Sequence, residues 1–273
     1  MLLHLLQSAI LGSIQGITEF LPISSTAHLV LLQNYFQFDP KTYGLTFDMF
    51  TNLGTLLAVV WFFRKDIKKL LADLRLPSRK NTLNSDQKLA WNILIVTFIV
   101  AVVGYFLQDY IEGPLRQNWI IAASLIIIGV VLWIAERMPA TTSGKTENTS
   151  RKTYIIGLSQ ILAFIPGVSR SGITISTGIF SGLKRESAAR ISFLLSIPIT
   201  TIAVLKKLLD FAAELSSGGI GAEVLLNYFV GLFFATLLGF FTIKFLLEYL
   251  KSRQLYIFAA YRIILGIIIL INL

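Results

Sequence analysis

Long apolar runs, each closed by a short polar segment, set the rhythm of this chain. Runs at 46–63, 89–107, 119–135, 188–205, 222–247 and 255–273 reach or approach the roughly 17–25 residues a helix needs to cross a bilayer. Two further apolar segments are broken from within. The first holds Gln-Gly-Ile-Thr-Glu-Phe-Leu-Pro-Ile-Ser-Ser-Thr-Ala-His at 15–28, and the second, 154–180, holds Pro166, Gly167, Ser169, Arg170 and Ser171. Both read as a helix that stops at a proline and restarts at a hydroxyl. The pattern predicts an all-α polytopic membrane protein with six transmembrane helices and two re-entrant helical hairpins. Between 64 and 76, Ile67, Leu70, Leu71 and Leu74 recur at helical spacing among basic residues, which predicts a helix on the membrane surface that Pro77 stops.

The two breaks echo one another. Phe20-Leu-Pro-Ile-Ser-Ser and Phe164-Ile-Pro-Gly-Val-Ser align Pro22 with Pro166 and Ser25 with Ser169, and each is followed by three spans. Interrupted segments at matching places predict an inverted repeat with the site at the repeat interface. The chain then reads as a single integral membrane domain, 1–273, with halves at about 1–135 and 154–273 and a polar loop, 136–153, between them.

Composition narrows the picture. The chain is 55% hydrophobic and only 14% charged, with mean hydropathy +0.72, outside the range of a soluble domain. It has no cysteine, which excludes disulfides and thiolate metal sites. The net charge of +9 does not indicate nucleic acid, because the basic residues fall between apolar segments. With both breaks re-entrant, sixteen Lys and Arg fall on one side, in 64–88, 136–153, 181–187 and 248–254. Four fall on the other, in 1–44, 108–118 and 206–221. The positive-inside rule makes the first side cytoplasmic and puts both ends of the chain outside. Met1 to Leu11 holds no Lys or Arg and no cleavage pattern, so no signal peptide is read.

Polar groups at membrane depth require a use, since a central charge costs ~2.5–3.5 kcal/mol even on the mildest scale. Gln15 and Glu19 lie four apart on one helical face. Beyond Pro22, Ser24 or Ser25 caps a new helix whose first turn includes Ser25 and His28. Ser169 starts the second helix likewise. Two helix N-termini meeting in the membrane offer free N–H groups to an anion, and Arg170 adds a planar fork suited to phosphate. Glu19 can hold a divalent cation or act as a general base, while His28 can activate Ser25 or a water, or protonate the leaving group. These residues point to phosphoryl transfer or hydrolysis on a membrane-embedded substrate. Gly12 and Gly16 have the spacing of a close helix contact, and Arg190, Lys244 and Arg262 are read as snorkelling or paired internally.

At both breaks the chain resembles the undecaprenyl-diphosphate phosphatase family of the bacitracin-resistance type. The first signature stands as Gln15 to Glu19 followed by Phe20-Leu-Pro-Ile-Ser-Ser-Thr-Ala-His28, and the second as Pro166-Gly-Val-Ser-Arg-Ser-Gly-Ile-Thr174. Gln15 stands where Glu is frequent, and Ala27 where Gly is. The resemblance covers essentially the whole chain. It implies an enzyme of a bacterial cytoplasmic membrane that removes the terminal phosphate of undecaprenyl diphosphate, with its site open to the outer, periplasmic side. Recycling that lipid serves cell-wall synthesis and confers bacitracin resistance. Carried over by motif, Glu19, Ser25, His28 and Arg170 are catalytic, with Ser25 the proposed nucleophile and His28 or a directly attacking water the alternatives. Ser24, Thr26, Ser169, Arg170, Ser171 and Thr174 are expected around the substrate phosphates. Glu19 and Gln15 are expected on a divalent cation, Mg2+ or Ca2+. The implied partners are the polyprenyl diphosphate lipid, the bilayer and a second copy in a homodimer, with no nucleic acid. The competing reading is a transporter or flippase of a polyprenyl phosphate, which needs Arg170 and the helix ends but no convergence of Glu19, Ser25 and His28. Contact among Glu19, Ser25, His28 and Arg170 is the central expectation.

Overall fold

The structure, a computed structural model, describes residues 1–74, 85–139, 149–216 and 220–272. Among them no strand occurs, and the chain is all-α. In chain order the helices are α1 (Leu2–Phe20), α2 (Ser25–Tyr35), α3 (Pro40–Tyr43), α4 (Leu45–Phe62), α5 (Arg64–Asp73), α6 (Ser85–Glu112) and α7 (Asn118–Glu136). They continue as α8 (Thr149–Ser159), α9 (Arg170–Phe180), α10 (Arg185–Ser216), α11 (Ala222–Ser252) and α12 (Tyr256–Ile271). Helices α4, α6, α7, α10 and α11 are long and apolar enough to cross a membrane. In hydrocarbon a chain must satisfy its own backbone polar groups, which is why apolar runs of this length are helical.

The sixth expected span, 255–273, forms the 16-residue α12, shorter than the other five. Segment 206–221, expected as a loop, is largely helix, because α10 runs on to Ser216. Loop 136–153 is partly helical, since α8 begins at Thr149. Its residues 140–148, and the stop expected at Pro77, lie outside the described residues.

The helices around the two breaks have corresponding packing partners. Helix α1 lies along α11, and α8, its counterpart in the second half, lies along α6; α4 packs on α11 as α10 does on α6. Helices α4 and α10 meet each other, as do α7 and α12. The α1–α11 contact has the small-residue form expected of Gly12 and Gly16: a Cβ on Gly16 would sit 2.7 Å from the Ala235 carbonyl oxygen, and one on Gly12 would collide with the backbone of Gly231.

The breaks themselves are built alike. Ser24 and Ser169 are the N-caps of α2 and α9, with φ of 75° and 70°, and their side chains accept from the N–H of Ala27 and Gly172. Both lie on the left-handed side of backbone space, a strained choice for serine that tight surroundings must hold in place. In the second break Ile165 accepts from the Val168 N–H at 3.1 Å, with Pro166 and then Gly167 (φ 93°) at the corner. That is a type II turn, which needs a residue tolerant of positive φ at its third position. The first break closes instead with Leu21 accepting from the Ile23 N–H at 2.8 Å. It is one residue shorter, which corrects the alignment drawn from the prolines. Ser24, not Ser25, matches Ser169, and Ser25 matches Arg170 at the first position of its helix.

Candidate active site

The two breaks meet tip to tip. Ser171 Oγ donates to the Leu21 carbonyl at 2.9 Å, and Arg170 reaches Glu19 at 2.6 Å. Arg262, from α12, donates to carbonyls of both turns. A cavity of about 360 Å³ opens beside this junction. It is lined by Gln15, Glu19, Ser24, Ser25, Thr26, Ser169 and Arg170, and also by Asp48, Asn52, Thr200, Arg116 and Lys207.

Glu19, on the last turn of α1, is the hub. One carboxylate oxygen accepts from Arg170 Nη2 at 2.6 Å. The other accepts from Ser25 Oγ at 2.6 Å and Gln15 Nε2 at 3.0 Å. Arg170 is held from its far side by the Thr200 hydroxyl on α10. An ion pair this well bonded offsets the cost of taking both charges out of water. Because α2 and α9 both begin here, their free N–H groups and positive dipole ends bear on the same space. A carboxylate on a serine hydroxyl, beside an arginine fork and two helix starts, can deprotonate that hydroxyl while binding an anion.

Of the four residues expected in contact, three are brought together. His28 is the exception, and this is a correction. Its Nδ1 donates to the Ser24 carbonyl at 2.7 Å, leaving Nε2 to accept from the Tyr261 hydroxyl at 2.7 Å. The ring stacks on Tyr261, 5.6 Å between centroids, outside the cavity lining. With both nitrogens engaged there, it is not placed to act on Ser25.

Two hydroxyls expected at the phosphate also turn away. Ser171 spends its hydroxyl on the Leu21 carbonyl and on Ser169. Thr174 is fully buried, bonded to the Arg170 carbonyl and the Ser192 hydroxyl. Both face the packing against neighbouring segments rather than the cavity. Arg190 pairs with Asp66 over the Phe63 ring, and Lys244 is exposed.

Asp48, Asn52, Thr200, Arg116, Lys207 and Tyr261 were not singled out from the sequence. The readable signal lay in Asp48 and Asn52, polar residues one helical turn apart in an apolar run. Asn52 accepts from Gln15 at 3.1 Å and donates to the Asp48 carbonyl at 2.7 Å. Asp48 in turn accepts from Gln33 at 3.2 Å and faces Arg116 at 3.7 Å.

Fold and site together define a polytopic helical membrane protein with an anion-handling centre buried where two broken helices meet. Residues 8–268 match the family described as bacitracin resistance protein BacA, and the chain belongs to that family. A protein named undecaprenyl-diphosphatase from Rubrobacter xylanophilus is 38% identical over 270 residues, covering 98% of each chain. Another of that name, from Moorella thermoacetica, is 40% identical over 266 residues, 97% of this chain and 96% of its own. A third, from Mycolicibacterium smegmatis, is 38% identical over 271 residues, covering 97% and 95%.

Proposed function

We propose that this protein is an undecaprenyl-diphosphate phosphatase, hydrolysing the lipid diphosphate to undecaprenyl phosphate and inorganic phosphate. The observation that carries the reading is the Ser25–Glu19–Arg170 chain, with contacts of 2.6 Å on either side of one carboxylate. Names and near-complete coverage of the relatives support the substrate.

In the reaction, Arg170 and the N–H groups at the starts of α2 and α9 hold the terminal phosphoryl group and its developing charge. Glu19 takes the Ser25 proton as Oγ attacks the terminal phosphorus, and the bond to the bridging oxygen breaks. Undecaprenyl phosphate leaves. Glu19, protonated in that step, gives up its proton and then activates a water that cleaves the phosphoserine to free Ser25 and phosphate. Ser24, Thr26 and Ser169 line the same space.

A divalent cation fits the donor set. Glu19 and Asp48 supply carboxylates to one cavity, and Gln15 Oε1 is buried with no partner. Mg2+ takes one or two carboxylates and completes its shell with water and substrate phosphates. Glu19 and Gln15 would hold it, and it would supply charge neutralisation of the phosphates.

The protein sits in a bacterial cytoplasmic membrane, with both broken helix pairs re-entrant. The cavity lining includes Ile111, Arg116 and Lys207, from segments assigned to the side poor in basic residues, which supports an opening to the periplasm. A flippase would share the broken helices, but would have no need for a serine hydroxyl on a carboxylate.

The test is phosphate release by the purified protein from a polyprenyl diphosphate in detergent, with Mg2+ or Ca2+ and again with EDTA. Release with metal and its loss with EDTA are expected. No release in metal-replete buffer would sink the enzyme reading.

A further inference from the structure

We infer that Arg262 is a positioning residue that sets the separation of Ser25 and Arg170 by holding the carbonyls of both turns on one guanidinium. Arg262 is fully buried. A charge taken so far from water is tolerated only where charge-assisted hydrogen bonds replace its hydration. Here they all go to backbone: Nη1 to Pro22 at 3.0 Å, Nη2 to Gly167 at 2.8 Å and Val168 at 2.9 Å. Longer contacts of 3.4 Å reach Ser124 and Leu125 on α7.

Two of the three bridged carbonyls, one in each turn, stand at the same distance along the chain from a working residue. Pro22 precedes Ser25 by three, and Gly167 precedes Arg170 by three. Those carbonyls lie in helix breaks, where no intrahelical N–H reaches them. The guanidinium therefore fixes the two turns relative to each other, and with them the first residues of α2 and α9. Nη1 serves one turn and Nη2 the other, so the planar fork itself does the spacing. A lysine, with one small ammonium, keeps the charge but not the two-point span. The fit is close on the other flank as well. A Cβ on Gly172 would lie 3.1 Å from Arg262 Nη1 and 3.2 Å from Ser169 Cβ, so alanine there presses on the guanidinium and on the cap of α9 without removing either.

This inference rests on the phosphatase reading, and the two fail separately. Arg262→Lys, Gly172→Ala and the double variant would be compared with wild type for kcat and KM on a polyprenyl diphosphate. Only protein with wild-type melting and elution behaviour would be used. Arg170 keeps Glu19 and Thr200 in every variant, so phosphate binding persists while alignment for attack is lost. In Arg262→Lys, kcat is expected to fall about 100-fold, as for an ångström-scale misplacement, with KM within about 3-fold of wild type. Gly172→Ala is expected to lose about 10-fold in kcat. The double variant should lose less than the product of the two single losses, because part of the alanine's effect passes through Arg262.

Amide hydrogen exchange supplies a readout independent of turnover. Arg262→Lys should speed exchange at 21–27 and 167–172 together and leave α4 and α11 unchanged. Unaltered kcat in folded Arg262→Lys, multiplicative losses in the double variant, or exchange unchanged at either turn would overturn the inference. If wild type released no phosphate, the phosphatase reading would fall, and the exchange at the two turns would still decide whether Arg262 holds them together.

Discussion

A single carboxylate divided between a nucleophile and a phosphate binder makes Glu19 the residue on which catalysis turns. Glutamine at this position preserves shape and can still hydrogen-bond Ser25, but it removes the base. Glu19→Gln is therefore expected to lose about 10²–10⁴-fold in kcat, the span assigned to general base catalysis, with little change in melting temperature. Ser25→Ala removes the attacking oxygen and should abolish labelling of the protein by substrate carrying radioactive terminal phosphate. A labelled Ser25→Ala protein would displace serine from the nucleophile's place. His28 gives the contrasting case. Its ring is hydrogen-bonded to Ser24 and Tyr261, and on that geometry we expect it to brace the start of α2 rather than move the substrate's proton. His28→Ala should retain kcat within about tenfold of wild type, well short of the loss from removing the base. Equal losses in His28→Ala and Glu19→Gln would return the histidine to the chemistry.

At the scale of elements, the second turn has the stricter stereochemistry. Gly167 sits at φ 93°, and a Cβ there would lie 2.6 Å from the Ile121 carbonyl oxygen on α7. Neither demand can be relaxed without moving α9 and, with it, Arg170. Gly167→Ala should destabilise the protein by about 1–3 kcal/mol, the usual range for strain of this kind, and lower its melting temperature in detergent. Wild-type melting and kcat in that variant would show that the turn is not what places Arg170. This turn also explains why the site was only partly legible in the sequence. Pro22, Pro166 and the serines beside them announced two breaks, and the charges of Glu19 and Arg170 announced a use. The extra residue that Gly167 absorbs was invisible to a proline-on-proline alignment, so Ser25 was paired with Ser169 rather than Arg170. Side-chain direction was hidden for the same reason. Ser171 and Thr174 share the second motif with Arg170, yet helical rotation turns them into packing contacts with Leu21 and Ser192. His28 is drawn off by Tyr261, 233 residues away in the chain, and no local pattern foretold that partner. Arg262 was legible as an internal charge in an apolar helix, but not as the bridge between the turns.

For the molecule as a whole, the arrangement of charge and cavity fixes an orientation that can be checked directly. Arg116 and Lys207 line the cavity, and they come from the segments assigned to the side with four basic residues. The bonded pair Arg185–Glu136, at 2.7 Å, and the amphipathic α5 mark the side with sixteen. On the proposed orientation, which puts the basic side in the cytoplasm, the cavity faces the opposite side of the membrane. The native chain has no cysteine, so single cysteines report without background. Gln117→Cys, exposed next to Arg116, should react with a membrane-impermeant maleimide in intact spheroplasts. Lys145→Cys should react only after the membrane is opened. The reverse pattern would invert the protein and aim its cavity at the cytoplasm. Labelling of both in intact spheroplasts would break the requirement that three crossings separate the two re-entrant pairs, and with it the meeting of the two breaks through which Ser25 and Arg170 would share one phosphate.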